Sequence, residues 1–327
     1  MSGATDVSEL AVAFLVYNTI AFGFQPMIGY LCDAMPGLPA GVIGCAAVAA
    51  GVIALPFYWP AMLLCAAGNA FFHVEGGIDS LALSNGKMSR SGVFVSTGAL
   101  GVALGTLYGK ADEASAILPL ALLAVSAVLI ALFKTKAEAR PAEIKLRVSS
   151  GLPFTAVLIL ALVSIVIRAY VGASLQFEWR SASLFLALMP AAASFAGKAA
   201  GGFIGDIIGA RRAGAAALLL SIPLLVFGAG SPVLSIIGLM LFNMTMPITL
   251  CVVASELPRS PGLAFGLTTL ALLCGTVPTF KFKLPAEAVP AVIGVLTAVS
   301  AVCVLLCARG RKGVSYEADK ETEQHTV

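Results

Sequence analysis

Charge is what this sequence lacks most. Of its 327 residues, 11% are charged and 59% are hydrophobic, and the mean hydropathy is +0.97. Because a soluble domain carries about a quarter charged residues, a chain this poor in charge cannot cover a globule with solvated groups. The composition therefore excludes an ordinary soluble enzyme, a nucleic-acid-binding module and a disordered protein. The net charge of +3 gives no general attraction for polyanions.

The residues of metal and catalytic sites are also scarce. The chain has two histidines, and its seven cysteines are scattered through apolar runs without a C-x-x-C pair. Without a cluster of His, Cys and acidic residues we expect no metal site, and we expect no cofactor. There is no convincing Ser-His-Asp arrangement, and glycine-rich strings such as the one at 98–101 follow no strand, so we expect no enzyme.

Long apolar runs dominate what is present. A helix needs about 20 apolar residues to cross a bilayer. Eleven such runs lie at 10–32, 38–56, 60–81, 92–108, 116–133, 154–177, 182–208, 213–227, 233–254, 263–280 and 289–307. The 33 glycines and the low aromatic content of 8% favour closely packed helices over a barrel. The sequence therefore predicts an all-α membrane protein with about eleven transmembrane helices.

One polar interruption divides the chain. Residues 134–150 form a linker with five basic side chains, between five apolar runs in 1–133 and six in 151–308, and a polar tail follows at 309–327. Fourteen Lys and Arg residues lie in segments on the linker's side of the membrane and four lie on the opposite side. The positive-inside rule then places the linker and the C-terminus in the cytoplasm and the N-terminus outside. Compact loops and the absence of organelle-targeting signals suit a bacterial inner membrane.

The two sides of the linker repeat each other. The segment from Gly29 to Asp33 (GYLCD) matches the segment from Gly202 to Asp206 (GFIGD), 173 residues later. Arg90-Ser-Gly92 matches Arg259-Ser-Pro-Gly262, and Gly105-Thr106 matches Gly275-Thr276 at an offset of 170. Three matches in the same order indicate two duplicated bundles.

The repeat predicts that the first bundle lacks its opening helix. The counterpart of run 154–177 would lie before Met1. A truncated chain, a partner chain that supplies the helix, and a protein that works with eleven helices all remain open.

A loop motif carries a resemblance to the major facilitator superfamily of transporters. The family pattern G-x-x-x-D-x-x-G-x-R-R is complete in the second half, at Gly202, Asp206, Gly209, Arg211 and Arg212. The first half keeps only Gly29 and Asp33, since the loop 34–37 has no arginine. The resemblance spans nearly the whole chain and implies two helical bundles, of five and six helices, that rock around a central cavity.

A narrower resemblance concerns the fosmidomycin-resistance branch of that superfamily. It rests on residues 70–76 (AFFHVEG), on residues 86–92 (GKMSRSG) and on Arg168 within IVIRAY. Val74 stands where that branch usually has proline. The resemblance implies proton-coupled export of small amphiphilic or anionic molecules.

Two cations within the apolar runs are candidate substrate-binding residues. Charged groups at bilayer depth are costly, so Arg168 and Lys198 each need a partner or water. The planar fork of Arg168 suits an anionic substrate, although pairing with a buried acid or snorkelling remains open. Lys198 is open to the same alternatives. Asn243 and Thr245, at the positions related by the repeat to the third run, are candidates for the same cavity wall.

Three titratable residues of the third run are candidates for proton coupling. Glu75 and Asp79 share one helical face, whereas His73 lies about 200° around the helix from Glu75. Histidine changes charge near neutral pH, so His73 and Glu75 are a candidate relay. Hydrogen bonding to neighbouring helices is the alternative.

Four loop residues are gate candidates. In two-bundle transporters we expect a loop acid beside a helix N-terminus of the other half, which gives this role to Asp33 and Asp206. Arg211 and Arg212 join the gate or serve only as cytoplasmic anchors.

These residues favour a secondary transporter for a small organic solute, anionic or amphiphilic, driven by protons. The expected partners are the lipid bilayer, the solute and protons. The alternative is a non-transporting subunit, or half of a split transporter, that needs a partner chain.

Overall fold

A computed structural model describes residues 7–111, 114–133, 143–146, 148, 150–282 and 284–308. Within these residues the chain forms eleven helices, and three of them are built from more than one segment. The helix α1 comprises Val7–Asn18, a π-helical stretch Thr19–Gly23 and Gln25–Ala34. The others are α2 Ala40–Ile53, α3 Tyr58–Ala82, α4 Ser89–Gly109, α5 Ile117–Phe133, α6 Phe154–Ser174, α7 Leu184–Ile208, α8 Ala210–Val226, α9 Pro232–Asn243 with Thr245–Glu256, α10 Pro261–Thr276 with Pro278–Lys281, and α11 Val289–Cys307.

The predicted all-α membrane fold is confirmed. Eight of the described helices are long and apolar enough to cross a membrane, and α2 and α5 are shorter apolar helices. The tail at 309–327 and linker residues 134–142 lie outside the described residues, so the cytoplasmic location predicted for both stays a prediction, as do the domain boundaries.

Residues with positive φ lie in two turns between helices at the end of the molecule where the linker lies, here called the linker end. Asn85 and Gly86 adopt positive φ values of 50° and 81° between α3 and α4. Gly209 has a φ of 88° and joins α7 directly to α8. Glycine adopts this backbone conformation without steric cost, so these short turns are permitted.

Small residues let the helices of the second bundle pack closely. A Cβ at Gly197 or Gly201 of α7 would collide with the backbone carbonyls of Met240 and Met244 on α9. The hydroxyls of Ser164 on α6 and Ser300 on α11 lie 2.8 Å apart and hydrogen-bond inside the bundle. Close backbone contact and buried hydrogen bonds are the usual stabilising elements of membrane helices.

Two of the contacts between the bundles are related to each other by the internal repeat. In one, α1 lies against α10, and a Cβ on Gly29 would collide with the backbone of Gly262. In the other, α4 lies against α7, and a Cβ on Gly92 would come within 3.1 Å of Cα of Gly202. Because Gly29 repeats as Gly202 and Gly92 repeats as Gly262, the interface has an approximate twofold symmetry.

The end of the linker packs on the second bundle. The backbone N–H of Ile144 donates to the carbonyl of Pro258 at 2.9 Å, and Glu143 pairs with Arg259 at 2.7 Å. Ile144, Leu146 and Val148 are buried, which is the alternation of an extended segment with one buried face. The sequence analysis treated this segment only as a basic linker.

Candidate functional site

A cavity of about 590 Å³ lies between the two bundles. Its size is within the range of about 300–1,000 Å³ that is usual for small-molecule sites. Its walls come from seven helices: α1, α3 and α4 of the first bundle, and α6, α7, α9 and α10 of the second. The polar lining residues include Asn18, Gln25, His73, Arg168, Ser194, Lys198, Asn243, Thr249, Thr268, Thr269 and Thr276.

Arg168 projects from α6 into this cavity wall and is 6% exposed. Its Nη2 donates to the hydroxyl of Thr249 on α9 at 3.1 Å. That hydroxyl in turn lies 3.1 Å from the carbonyl of Thr245, one helical turn earlier. Nε of Arg168 is buried without a hydrogen-bond partner among the described residues. Thr249 therefore fixes one edge of the guanidinium, and the other donors remain for a ligand.

Lys198 and His73 complete a cluster of basic side chains. Both line the same cavity wall as Arg168. The imidazole of His73 lies edge-on to Phe94, with ring centroids 6.2 Å apart. None of the described lining residues is an acid. The wall therefore concentrates positive charge in an apolar surrounding, which attracts anions.

The other predicted residues of the third and ninth runs have separate surroundings. Glu75 is buried and accepts a hydrogen bond from the backbone N–H of Gly41 on α2, within the first bundle. Asp79 is half-buried on α3, outside the described cavity wall. Asn243 lines the cavity, whereas Thr245 is buried within α9 beside it. The structure thus brings His73 and Asn243 to the cavity and leaves Glu75 inside the bundle.

Two aspartates join the bundles at the linker end. The carboxylate of Asp33 on α1 accepts hydrogen bonds from the backbone N–H groups of Gly262 and Leu263, both at 2.8 Å, where α10 begins. The carboxylate of Asp206 on α7 accepts from Met88 at 2.7 Å and from Ser89 at 3.0 Å, where α4 begins. Each carboxylate caps a helix of the opposite bundle, where the helix dipole favours negative charge.

The remaining gate candidates lie apart from these contacts. Arg211 and Arg212 are exposed in the first turn of α8. An aromatic pair lies between the cavity and the linker end, since Phe94 on α4 and Phe265 on α10 have ring centroids 6.0 Å apart. Two aspartate caps and an aromatic contact therefore join the bundles on this side of the cavity.

The sequence analysis missed the part of the site that α1 contributes. The π-helical stretch at Thr19–Gly23 interrupts the regular helix, and Nε2 of Gln25 donates to the carbonyl of Ala21 at 2.5 Å. The hydroxyl of Thr269 on α10 donates to the carbonyl of Phe22 at 3.2 Å, across the bundle interface. Such π-helical insertions are frequent at functional sites. Apolar periodicity gives no signal for one, so the sequence offered no means to find it.

The fold is that of major facilitator superfamily transporters, and the chain is an integral membrane protein. It is similar to a variant of the fucose:proton symporter FucP of E. coli, with a TM-score of 0.69, 12% identity and 91% of each chain covered. A structure of FucP in the outward conformation matches with a TM-score of 0.66 and 12% identity, over 94% of this chain and 89% of that one. The human organic anion transporter MFSD10 matches with a TM-score of 0.66 and 16% identity, over 91% of this chain and 83% of that one.

These likenesses confirm the predicted superfamily fold, and the matched proteins are themselves transporters. No family model matches the chain, and no curated protein matches it in sequence. The narrower resemblance to the fosmidomycin-resistance branch and the missing first helix stay predictions.

Proposed function

We propose that this chain is a secondary active transporter that moves a small organic anion by alternating access, coupled to protons. The observation that carries the proposal is the cavity between the bundles, with two basic side chains, Arg168 and Lys198, and no acid among its described lining residues. We place the protein in a bacterial inner membrane, with the C-terminus in the cytoplasm and the N-terminus outside.

Substrate binding is assigned to the second bundle. The buried guanidinium of Arg168, held by Thr249, offers its remaining donors to a carboxylate or phosphate group. Lys198 supplies a second positive charge, and Asn243 is a neutral contact with its amide in the cavity wall. We keep Thr245 as a residue that supports this wall, because its carbonyl accepts from Thr249.

Alternation is assigned to the symmetric contacts at the linker end. The caps formed by Asp33 and Asp206 hold this end closed, so opening it requires both carboxylates to leave a helix N-terminus. Arg211 and Arg212 stabilise the open form by offering these carboxylates, or anionic lipid headgroups, an alternative partner.

Proton coupling is assigned to His73, because histidine is the side chain type that usually changes charge near neutral pH and His73 lines the cavity. Glu75 and Asp79, farther along α3 toward the linker end, are the proposed continuation of the proton path. The test is counterflow of a labelled anion, such as benzoate, in proteoliposomes with and without a pH gradient. Accumulation that needs the protein and increases with the gradient supports the proposal, and its absence for every anion tested rejects it.

Replacing His73 separates transport from coupling. In His73→Gln we expect counterflow without a gradient to stay within about threefold of the unmodified protein, because glutamine keeps a polar side chain in the wall. Accumulation driven by a pH gradient should be lost, because glutamine does not titrate. A variant that still accumulates the anion in response to the gradient would contradict the role of His73.

A second candidate function is favoured by the open face of the first bundle. On α10, a Cβ at Gly275 would collide with the carbonyl of Val166 on α6, whereas its repeat Gly105 on α4 has nothing within 4 Å among the described residues. None of the residues of α5 is buried. The surface that α6 covers in the second bundle is thus uncovered in the first. In this second candidate function, the chain is a subunit, and a partner chain supplies the helix that covers this surface.

Leucine substitutions at the two related glycines test this candidate. Gly275→Leu should lower the midpoint of thermal unfolding, since overpacking costs about 1–3 kcal/mol, while Gly105→Leu should leave it unchanged in the purified chain. If a partner helix occupies the open face, Gly105→Leu should abolish transport in cells that express both chains. Full activity of Gly105→Leu in those cells would reject the partner helix.

A further inference from the structure

The positive charges of the cavity have no balancing charge in its wall. Arg168 and Lys198 contribute two, and the described lining residues contain no carboxylate. Three acids among the described residues are engaged elsewhere. Asp33 and Asp206 cap helices of the opposite bundle, and Glu75 accepts from Gly41 inside the first bundle. With no carboxylate in the described wall, a ligand is the source to which we assign the charges that balance Arg168 and Lys198.

A single negative charge does not balance this site. A carboxylate bound to the fork of Arg168 leaves the ammonium of Lys198 uncompensated at bilayer depth, where an unpaired charge is costly. Arg168 and Lys198 also line the same cavity, so their like charges repel each other and raise the free-energy cost of the partly neutralised site. A second negative charge on the same ligand removes both penalties, so ligand charge has a direct effect on affinity.

The aromatic residues of the cavity wall indicate that the rest of the ligand is apolar. Phe22, Phe94, Phe242 and Phe265 line the cavity and come from both bundles. Aromatic side chains of this kind bury an apolar group and contact its faces or edges. The cavity volume of about 590 Å³ admits a small organic molecule.

We infer that the transported solute is an organic dianion with an apolar body, in which one ionised group binds Arg168 and the second binds Lys198. This inference rests on the transport function proposed above. Arg168 supplies the directional contact, since its fork is fixed by Thr249 and buried. Lys198, on α7, supplies charge with little directional preference. The two groups of the solute thus span α6 and α7.

Matched pairs of monoanions and dianions test the inference directly. Binding of phthalate and benzoate, and of glutarate and valerate, is measured by calorimetry on the full chain in nanodiscs, at a pH at which all four are ionised. We expect each dianion to bind about tenfold or more tightly than its monoanion, because the second charge pairs with Lys198. Equal affinities within each pair would overturn the inference and leave the transport function intact.

Variants of Lys198 test whether this residue binds the second negative charge of the ligand. In Lys198→Gln the preference for the dianion should fall to about one, with monoanion binding retained, whereas Lys198→Arg should keep the preference. Lys110→Gln, at an exposed site beyond the end of α4, is the matched control and should change neither. A dianion preference that survives Lys198→Gln would overturn the assignment. Binding and transport of none of the four anions would instead reject the anion-transport proposal itself.

Discussion

Arg168→Gln should reduce counterflow of a labelled anion to the background of empty liposomes, a loss of about a hundredfold or more. Removing one member of a buried, hydrogen-bonded charge pair costs about 2–5 kcal/mol, and this loss applies to every anion that the cavity binds. Initial rates of uptake into proteoliposomes measure the effect.

Two further variants separate the role of the guanidinium from a role in folding. Thr249→Val removes the hydroxyl that accepts the hydrogen bond from Nη2 of Arg168. We expect weaker anion binding and a loss of counterflow of only about tenfold, because the positive charge of Arg168 remains. Arg180→Gln, at an exposed position between α6 and α7, should leave transport unchanged. Undiminished counterflow by a folded Arg168→Gln protein would show that the anion does not bind this residue.

The second large effect is expected at the linker end, in the double variant Asp33→Asn with Asp206→Asn. Each carboxylate accepts two hydrogen bonds at a helix N-terminus, and hydrogen bonds to charged groups contribute about 1.5–3 kcal/mol each. An amide keeps one acceptor and loses the charge that the dipole favours. The closed linker end should therefore lose stability, and transport should fall by more than about tenfold.

In each single variant the free energy that stabilises the closed linker end should fall by about half as much as in the double variant, because the internal repeat makes the two caps equivalent. The measurement is the initial rate of counterflow, together with the accessibility of a cysteine introduced at Ala99 in the cavity wall to a water-soluble reagent added from the linker end. Glu178→Gln, at an exposed site, is the control. An unchanged rate and an unchanged accessibility in the double variant would rule out a gate at these aspartates.

The sequence predicted the helices and their pairing well, because both follow from local pattern. Apolar run length located all eleven described helices, and the short GYLCD and GFIGD matches identified α1 and α7 as equivalents. In the structure, α1 and α7 make equivalent contacts with the opposite bundle, one at Gly29 and one at Gly202. Repeats and turn residues are properties of a segment, so a single sequence reveals them.

Side-chain direction was harder to predict. The 100° rotation per residue already separated His73 from Glu75, and the structure places His73 at the cavity and Glu75 against Gly41 of α2. Which face meets water depends on neighbouring helices, and the sequence does not give that packing.

The contributions of Thr249 and Gln25 could not be predicted for a related reason. Thr249 matters because α9 brings its hydroxyl to Arg168 on α6, 81 residues away in sequence. Gln25 follows a π-helical stretch that no periodicity marks. Threonine in a membrane helix usually hydrogen-bonds its own backbone, so the residue type alone gave no reason to select it.

The most direct test of the account is a distance between the two bundles at the linker end. Spin labels at Leu83, after α3, and at Ile208, at the end of α7, report this distance in a protein whose exposed Cys274 is replaced by serine. The account predicts two populations, a shorter distance with both aspartate caps formed and a longer one that grows in the Asp33→Asn and Asp206→Asn double variant. Adding phthalate should change their ratio. A single distance that neither phthalate nor the double variant alters would contradict alternating access in this protein.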